Sequence, residues 1–367
     1  MEQSVKDILA DDFWIMPATP EYIDKGVPYI TSKNIKNGTI DFSKVNYISQ
    51  EDYEYISKNR PILVGDILIS MIGTLGETAE VKETDGLFYG QNMFLVRIDE
   101  SKVNKRYFLN FFKSNCVKRA LKGKQNQSTQ KYLKANHIED LIIPVPDVTK
   151  QELIAKQLDK LTYIITLRTN ELKQLDDLIK ARFVEMFGNL RMNTKGWSVK
   201  TFDKLSYLIT DGEHSTPRRI TQGVYLLSAR NILNHSLQLE DVDYIDKEEY
   251  ERIAKRVVPQ EGDVLISCSG TVGRCCSVPA GVKFQMVRSV ALIRFKEEIN
   301  HVFAEYMITS DYLQEQIKGS QTVSAQANLF QGKIKALKGF VPPIELQKQF
   351  ADFVNQVDKS KLFSQRY

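Results

Sequence analysis

From Thr19-Pro20 to Gly76 the chain is written a second time, without a gap, 197 residues further on, from Thr216-Pro217 to Gly273. About two in five positions in that span are identical. GVPYITSKNI from Gly26 answers to GVYLLSARNI from Gly223, and GDILISMIGTLG from Gly65 to GDVLISCSGTVG from Gly262. Past one deleted residue the echo continues. Ser128-Thr129-Gln130 with Leu133 matches Ser324-Ala325-Gln326 with Leu329, and Pro146 matches Pro342. Copies this long exceed the roughly 20–50 residues of solenoid units. Two homologous domains are therefore expected.

Each copy mixes short apolar runs with short helical patterns. Asp66–Ser70 and Asp263–Ser267 each lead into Gly-Thr-x-Gly, the signature of a buried strand ending in a tight turn. Phe94–Ile98 and Val290–Arg294 read as further strands, and Glu51–Lys58 and Lys105–Leu121 as helices. The expected fold class is α+β, with a twisted, mostly antiparallel sheet in each copy.

A different pattern follows each copy. Lys150 to Phe187 contains no Pro or Gly. Its positions Ile154, Leu158, Leu161, Ile165, Arg168, Leu172, Leu175, Ile179, Arg182 and Met186 are spaced alternately by four and three, and eight of these ten are apolar. That is a coiled-coil seam, ended by Gly188-Asn189. The helix would be on the order of 57 Å long. The same spacing returns after the second copy at Phe350, Val354, Val357 and Lys361. So narrow an apolar stripe needs a partner, and pairing the two helices would relate the copies by an approximate two-fold axis. The expected organisation is a first domain over 1–148, a spacer helix over 149–189, a second domain over 190–344, and a C-terminal spacer helix over 345–367. The last is expected to be truncated relative to the first.

Catalytic signatures are scarce. The sequence contains no Gly-x-Gly-x-x-Gly, no Gly-x-x-x-x-Gly-Lys-[Ser/Thr] and no Asn-Pro-Pro-aromatic string. The histidines, His137, His214, His235 and His301, are scattered. Cys116, Cys268, Cys275 and Cys276 lack metal-ligand spacing. With no export signal, they are expected to be reduced and mostly buried in a cytoplasmic protein. No metal site and no membrane span are expected. One catalytic alternative uses Asp66, Glu80 and Lys82, whose spacing would suit a Mg²⁺-dependent nuclease. The second copy keeps Asp263 but carries Ser277-Val278-Pro279 where the first has Glu-Val-Lys.

Nucleic-acid binding has better support. The net charge is only +4, so positive charge must be local to matter. From Lys113 to His137 the chain has seven lysines and arginines and no acid. At its centre stand Lys122, Lys124, Gln125, Asn126, Gln127, Ser128, Thr129 and Gln130. These residue types suit base edges and phosphates. The second copy offers Lys318, Gln321, Thr322, Ser324 and Gln326, again without acids. Further candidates are Lys33-Asn34, the matching Arg230-Asn231, and Arg218-Arg219.

This pattern resembles the DNA-specificity subunits of type I restriction-modification enzymes. The resembling residues are G-D-x-L-I-S-x-x-G-T-x-G in both copies, STQKYL from Ser128, and Pro144-Val145-Pro146 leading into QELIAKQLDKL. GWSVKTFDKL from Gly196, DGEHSTP, and Ala229-Arg230-Asn231-Ile232 add to it. The resemblance implies two target-recognition domains, each reading one half of a bipartite site in double-stranded DNA, and no catalysis in this chain. It implies spacer helices that pack antiparallel and dock two methyltransferase subunits, which carry S-adenosylmethionine. Separate motor-nuclease restriction subunits would cleave. The competing readings are the nuclease above and a protein-only coiled-coil scaffold.

Overall fold

The computed structural model describes residues 2–16, 20–123, 132–319 and 328–366. The chain folds as two units, residues 1–166 and 167–367, with the boundary inside one long helix.

In the first unit the run after Asp66 forms the strand Ile67–Ser70, all four residues buried. It lies between Met93–Val96 and Thr78–Glu80, antiparallel to both, and Trp14–Ile15 flanks Met93–Val96. The run is continuously apolar because both faces of the strand are covered. Ile67 and Ile69 point into a core with Phe94, Phe108, Phe112 and Leu121. Leu68 joins a second core with Tyr29, Phe88 and Tyr89.

The second unit repeats this strand for strand. Val264–Ser267 lies between Val290–Phe295 and Cys275–Ser277, with Ser206–Asp211 outermost. Val264 and Ile266 serve one core and Leu265 the other.

A smaller sheet accompanies each large one: Asn46–Ile48, Val27–Thr31 and Tyr89–Gln91 in the first unit, Asp243–Ile245, Val224–Leu227 and Phe284–Met286 in the second. One parallel pair in each smaller sheet is the exception to the antiparallel pattern. Here the glycine that opens each repeated GV string has its reason. A Cβ on Gly26 would stand 2.1 Å from the carbonyl oxygen of Ile48, and one on Gly223 2.3 Å from that of Ile245.

The single helical stretch expected over Lys105–Leu121 is two helices, Lys105–Phe112 and Asn115–Gly123. The break is a local cap: the Val117 N–H donates to Ser114 Oγ at 3.3 Å, starting a new helix.

The spacer is continuous from Val148 to Phe187, 40 residues. A buried glutamine near its start ties it to its own unit. Gln151 Oε1 accepts the Asn104 N–H at 2.8 Å, and Gln151 Nε2 donates to the carbonyls of Pro146 and Lys102. Gln347 does the same for the second helix, Ile344–Arg366, toward Asn300, Pro342 and Glu298.

The seam is only partly covered. Ile179, Phe183 and Phe187 are buried with Phe350, Val354 and Val357 in one core, and Lys361 Nζ reaches Asp176 at 2.7 Å. Leu172 and Leu175 are half-buried, and Ile154 packs beside buried Ala155. Leu158, Leu161 and Ile165 are 38%, 55% and 65% exposed, so at these seam positions the narrow stripe is left without cover. The reason is length: the 23-residue closing helix covers only the far half of the 40-residue one. Among the described residues no helix is long and apolar enough to cross a membrane.

Cys116 is exposed, whereas Cys268, Cys275 and Cys276 are buried. Burial pushes the Cys268 thiol up to about 12 and raises Cys275 and Cys276 as well. Alkylation of the native chain at neutral pH is therefore expected to label one thiol, and Cys116→Ser to leave none until denaturant is added. A second thiol labelled without denaturant would contradict the packing of the second unit's sheet.

Candidate nucleic-acid interface

The repeated Gly-Thr-x-Gly string closes a hairpin at the end of each central strand. Ser70 Oγ donates to the Thr74 carbonyl and accepts the Glu77 N–H. Ser267 Oγ does the same for Thr271 and Arg274, at 2.7 and 3.0 Å. Gly73, Gly76, Gly270 and Gly273 all take positive φ, between 68° and 89°, which other residues resist.

Each hairpin is also where the acid-free segment returns. The Leu133 N–H donates to Met71 O and the Leu329 N–H to Cys268 O, both at 2.9 Å. Tyr132 bridges to Ile72, and Asn328 to Ser269. The outgoing ends are the helices Asn115–Gly123 and Asp311–Gly319. Both segments thus leave from a helix end and rejoin at a hairpin, in matching places.

Lys122 and Lys318 are exposed at those helix ends. Lys124, Gln125, Asn126, Gln127, Ser128, Thr129 and Gln130, with Gln321, Thr322, Ser324 and Gln326, lie outside the described residues. Asn34 and Asn231 correct the expectation that they face a ligand, because both are buried. Asn34 Oδ1 accepts the Thr31 N–H at 2.9 Å, and its Nδ2 donates to the carbonyls of Asp41 and Lys44. Asn231 is bound identically by Ser228, Gln238 and Asp241. Their amides hold a turn and have no donor or acceptor left for a base edge.

Lys33, beside Asn34, is exposed. The three candidate arginines of the second unit are exposed but paired. Arg218 bonds Asp246, Arg219 reaches Asp243 at 3.0 Å, and Arg230 reaches Asp243 at 3.0 Å and Asp241 at 3.7 Å. The Asp246 carboxyl lies below its ordinary value, held by the helix-end N–H of Glu249 and then by Arg218.

The nuclease candidates do not converge. Asp66 is 1% exposed and clamped by Arg97, Nε to Oδ1 at 2.7 Å and Nη2 to Oδ2 at 2.9 Å, while the Leu63 N–H also donates to it. Asp263 repeats this with Arg294 and Gln260. Such two-pronged pairing leaves little acceptor capacity for a metal. Glu80 faces Lys105 at 3.5 Å, and Lys82 is exposed. Among the described residues no three His, Cys, Asp or Glu side chains gather as metal ligands.

Sequence reading passed over one polar cluster in the second unit. Buried Glu305 accepts the Ser277 N–H at 2.7 Å and pairs with His235 Nδ1 at 3.0 Å, and His301 Nδ1 meets Ser277 Oγ at 3.0 Å. Neither histidine carried a spacing signal, since the sheet brings them together from distant parts of the chain. The first unit's counterpart of Ser277 and His301 is the Glu80–Lys105 pair.

The model of the type I restriction modification DNA specificity domain matches residues 15–177 and 220–366. The chain belongs to that family. It is 24% identical over 358 residues to the putative type I restriction enzyme MjaX specificity subunit of Methanocaldococcus jannaschii, covering 91% of this chain and 80% of that one. It is 23% identical over 363 residues to the EcoBI specificity subunit of Escherichia coli, covering 91% and 73%. Among solved structures it is similar to the type I S subunit from M. genitalium, with TM-score 0.58 and 11% identity over 100% of this chain and 91% of that one. A type I restriction-modification chain solved in work on complex assembly and conformational transition gives TM-score 0.52 at 15% identity, over 100% and 92%. These two show the shared fold. As a type I specificity subunit, the chain is a DNA-recognition component and not a catalyst.

The Asp–Arg clamp recurs in both units and tests cleanly for a structural role. Asp263→Ala strands Arg294 against a buried wall and is expected to cost about 3 kcal/mol of stability, read as a lower urea midpoint. A midpoint unchanged from the parent would show that the clamp does not support the sheet.

Proposed function

We propose that each unit reads one half of a bipartite, asymmetric DNA site, and that the long helix sets the gap between the halves. The observation that carries this reading is the pair of matching loop stems: one scaffold, built twice, presents two acid-free segments of different sequence. Differing segments on equal scaffolds would read different bases. The partners are double-stranded DNA and two methyltransferase subunits docked on the helices. In this reading S-adenosylmethionine belongs to those subunits, and this chain holds no cofactor of its own. Where a restriction system is complete, motor-nuclease subunits would join them. Neither the Asp66 clamp nor the Glu80–Lys105 pair favours a nuclease reading.

Two experiments test this with adenine methylation mapped genome-wide. Exchanging residues 1–148 for those of another specificity subunit should change one half-site and leave the other. A change in both, or in neither, would overturn the two-reader model. Removing seven residues from the exposed stretch 157–170 keeps the seam in phase and shortens the helix by about 10 Å. The gap should then narrow by about three base pairs, at 3.4 Å each. An unchanged gap would remove the helix from that role.

A further inference from the structure

Beside the hairpin of the first unit lies a cleft of about 770 Å³, between the Gly73–Gly76 turn and the helices Lys105–Phe112 and Asn115–Gly123. Lys113, Lys118 and Lys122 line it, all exposed. None of the three makes an ion pair among the described residues, and Glu77 is the carboxylate on the wall. Lys113 Nζ would stand 3.4 Å from a Cβ on Gly38. Thr78 also lines the cleft; it is 2% exposed, and its Oγ1 has no hydrogen-bond partner. A buried hydroxyl left without a partner is uncommon and calls for an explanation.

The second unit has the same backbone here, but its own side chains fill the place. Gln314 stands for Lys118 and donates to the carbonyls of Gly273 at 3.0 Å and Ile308 at 2.8 Å. His235 stands for Gly38, stacks on Tyr306 with centroids 4.0 Å apart, and pairs with Glu305. Thr309 stands for Lys113 and donates to Glu305 O at 2.9 Å. Cys275 stands for Thr78, with its thiol directed to the same carbonyl. Of the groups open and unpaired in the first cleft, Lys113, Lys118 and Thr78 have counterparts that are partnered in the second, while Lys122 is answered by another exposed lysine, Lys318.

We propose that the first unit's cleft seats a backbone phosphate of the DNA, and that the second unit has no such seat. Three ammonium groups, which only donate, and an unpartnered hydroxyl, which can donate, line the cleft with a single carboxylate. A phosphodiester brings acceptor oxygens and one negative charge, which answers both the unpaired charge and the idle hydroxyl. The cleft adjoins the helix end from which the acid-free segment departs, so a phosphate held there would fix the register of that segment on the duplex. This assignment rests on the DNA-recognition reading above.

The test uses the full chain and a long duplex of mixed sequence, with affinity measured across a chloride series. Lys113→Gln/Lys118→Gln/Lys122→Gln should weaken binding roughly tenfold near 0.1 M salt and reduce the salt slope by about 0.9, the value for one phosphate. Thr78→Val removes an uncharged donor, so it should weaken binding several-fold with the slope unchanged. A control, Lys25→Gln/Lys44→Gln/Lys58→Gln, removes equal charge outside the cleft and should leave the slope nearly as in the parent. An unchanged slope in the cleft variant, or an equal fall in the control, overturns the assignment. Binding of inorganic phosphate that is lost in the cleft variant, with the duplex slope intact, would make the cleft a free-anion site and overturn the backbone assignment. A parent chain that binds no duplex, alone or with its methyltransferase partner, would instead overturn the recognition reading, and this proposal with it.

Discussion

Each unit depends on one short strand that serves two cores at once. Ile67 and Ile69 face one apolar cluster and Leu68 the other; Val264, Ile266 and Leu265 divide in the same way. Shifting such a strand by one residue would exchange its faces, and here neither face can accept the other's side chains without repacking. The buried carboxylate just before the strand fixes the register further, because its partner arginine lies on the neighbouring antiparallel strand in the second unit and directly after it in the first. The hairpin at the strand's other end inherits that rigidity. It is a firm place to anchor a segment whose sequence differs between the copies, and both acid-free segments rejoin the fold there.

The two helices show how far pairing alone can stabilise a narrow stripe. Where the closing helix is present, the longer helix contributes three buried side chains, two of them phenylalanines in ring contact with Phe350. Where it is absent, the same periodicity leaves leucine and isoleucine in water. The repeat makes the comparison direct: Leu158, Leu161 and Ile165 stand in the first copy where Val354, Val357 and Lys361 stand in the second. The uncovered positions in one are the covered positions in the other.

Much of this was legible in the residues. The duplication, the buried strands and the long helix follow from periodicity and from two copies checking each other. The break at Ser114 was not, because an apolar face carried across it conceals a cap that depends on one hydroxyl. The roles of Asn34 and Asn231 were misread for a related reason. A polar residue kept in both copies suggests contact, yet Thr31 and Ser228, three positions earlier, mark a turn that uses the asparagine amide internally. The cleft was hidden altogether. Thr78 looks like any strand threonine until the sheet is folded and its hydroxyl is found without a partner.

Duplication followed by divergence separates scaffold from function in a way a single domain cannot. Features present in both copies, such as the Asp–Arg clamp, the Gln latch on each helix and the hairpin serine, are each satisfied inside their own unit. Such residues have little bonding capacity left for a ligand. In the cleft, two of the unpaired lysines stand where the copies differ, Lys113 against Thr309 and Lys118 against Gln314. For a specificity subunit this ordering follows from the physics of recognition. On the proposed reading, two readers hold the same shape to be spaced by one helix and differ in free donors and acceptors to select different sequences. Shape therefore resides in the repeated residues, while unpaired groups such as Lys113 and Lys118 stand where the second copy differs.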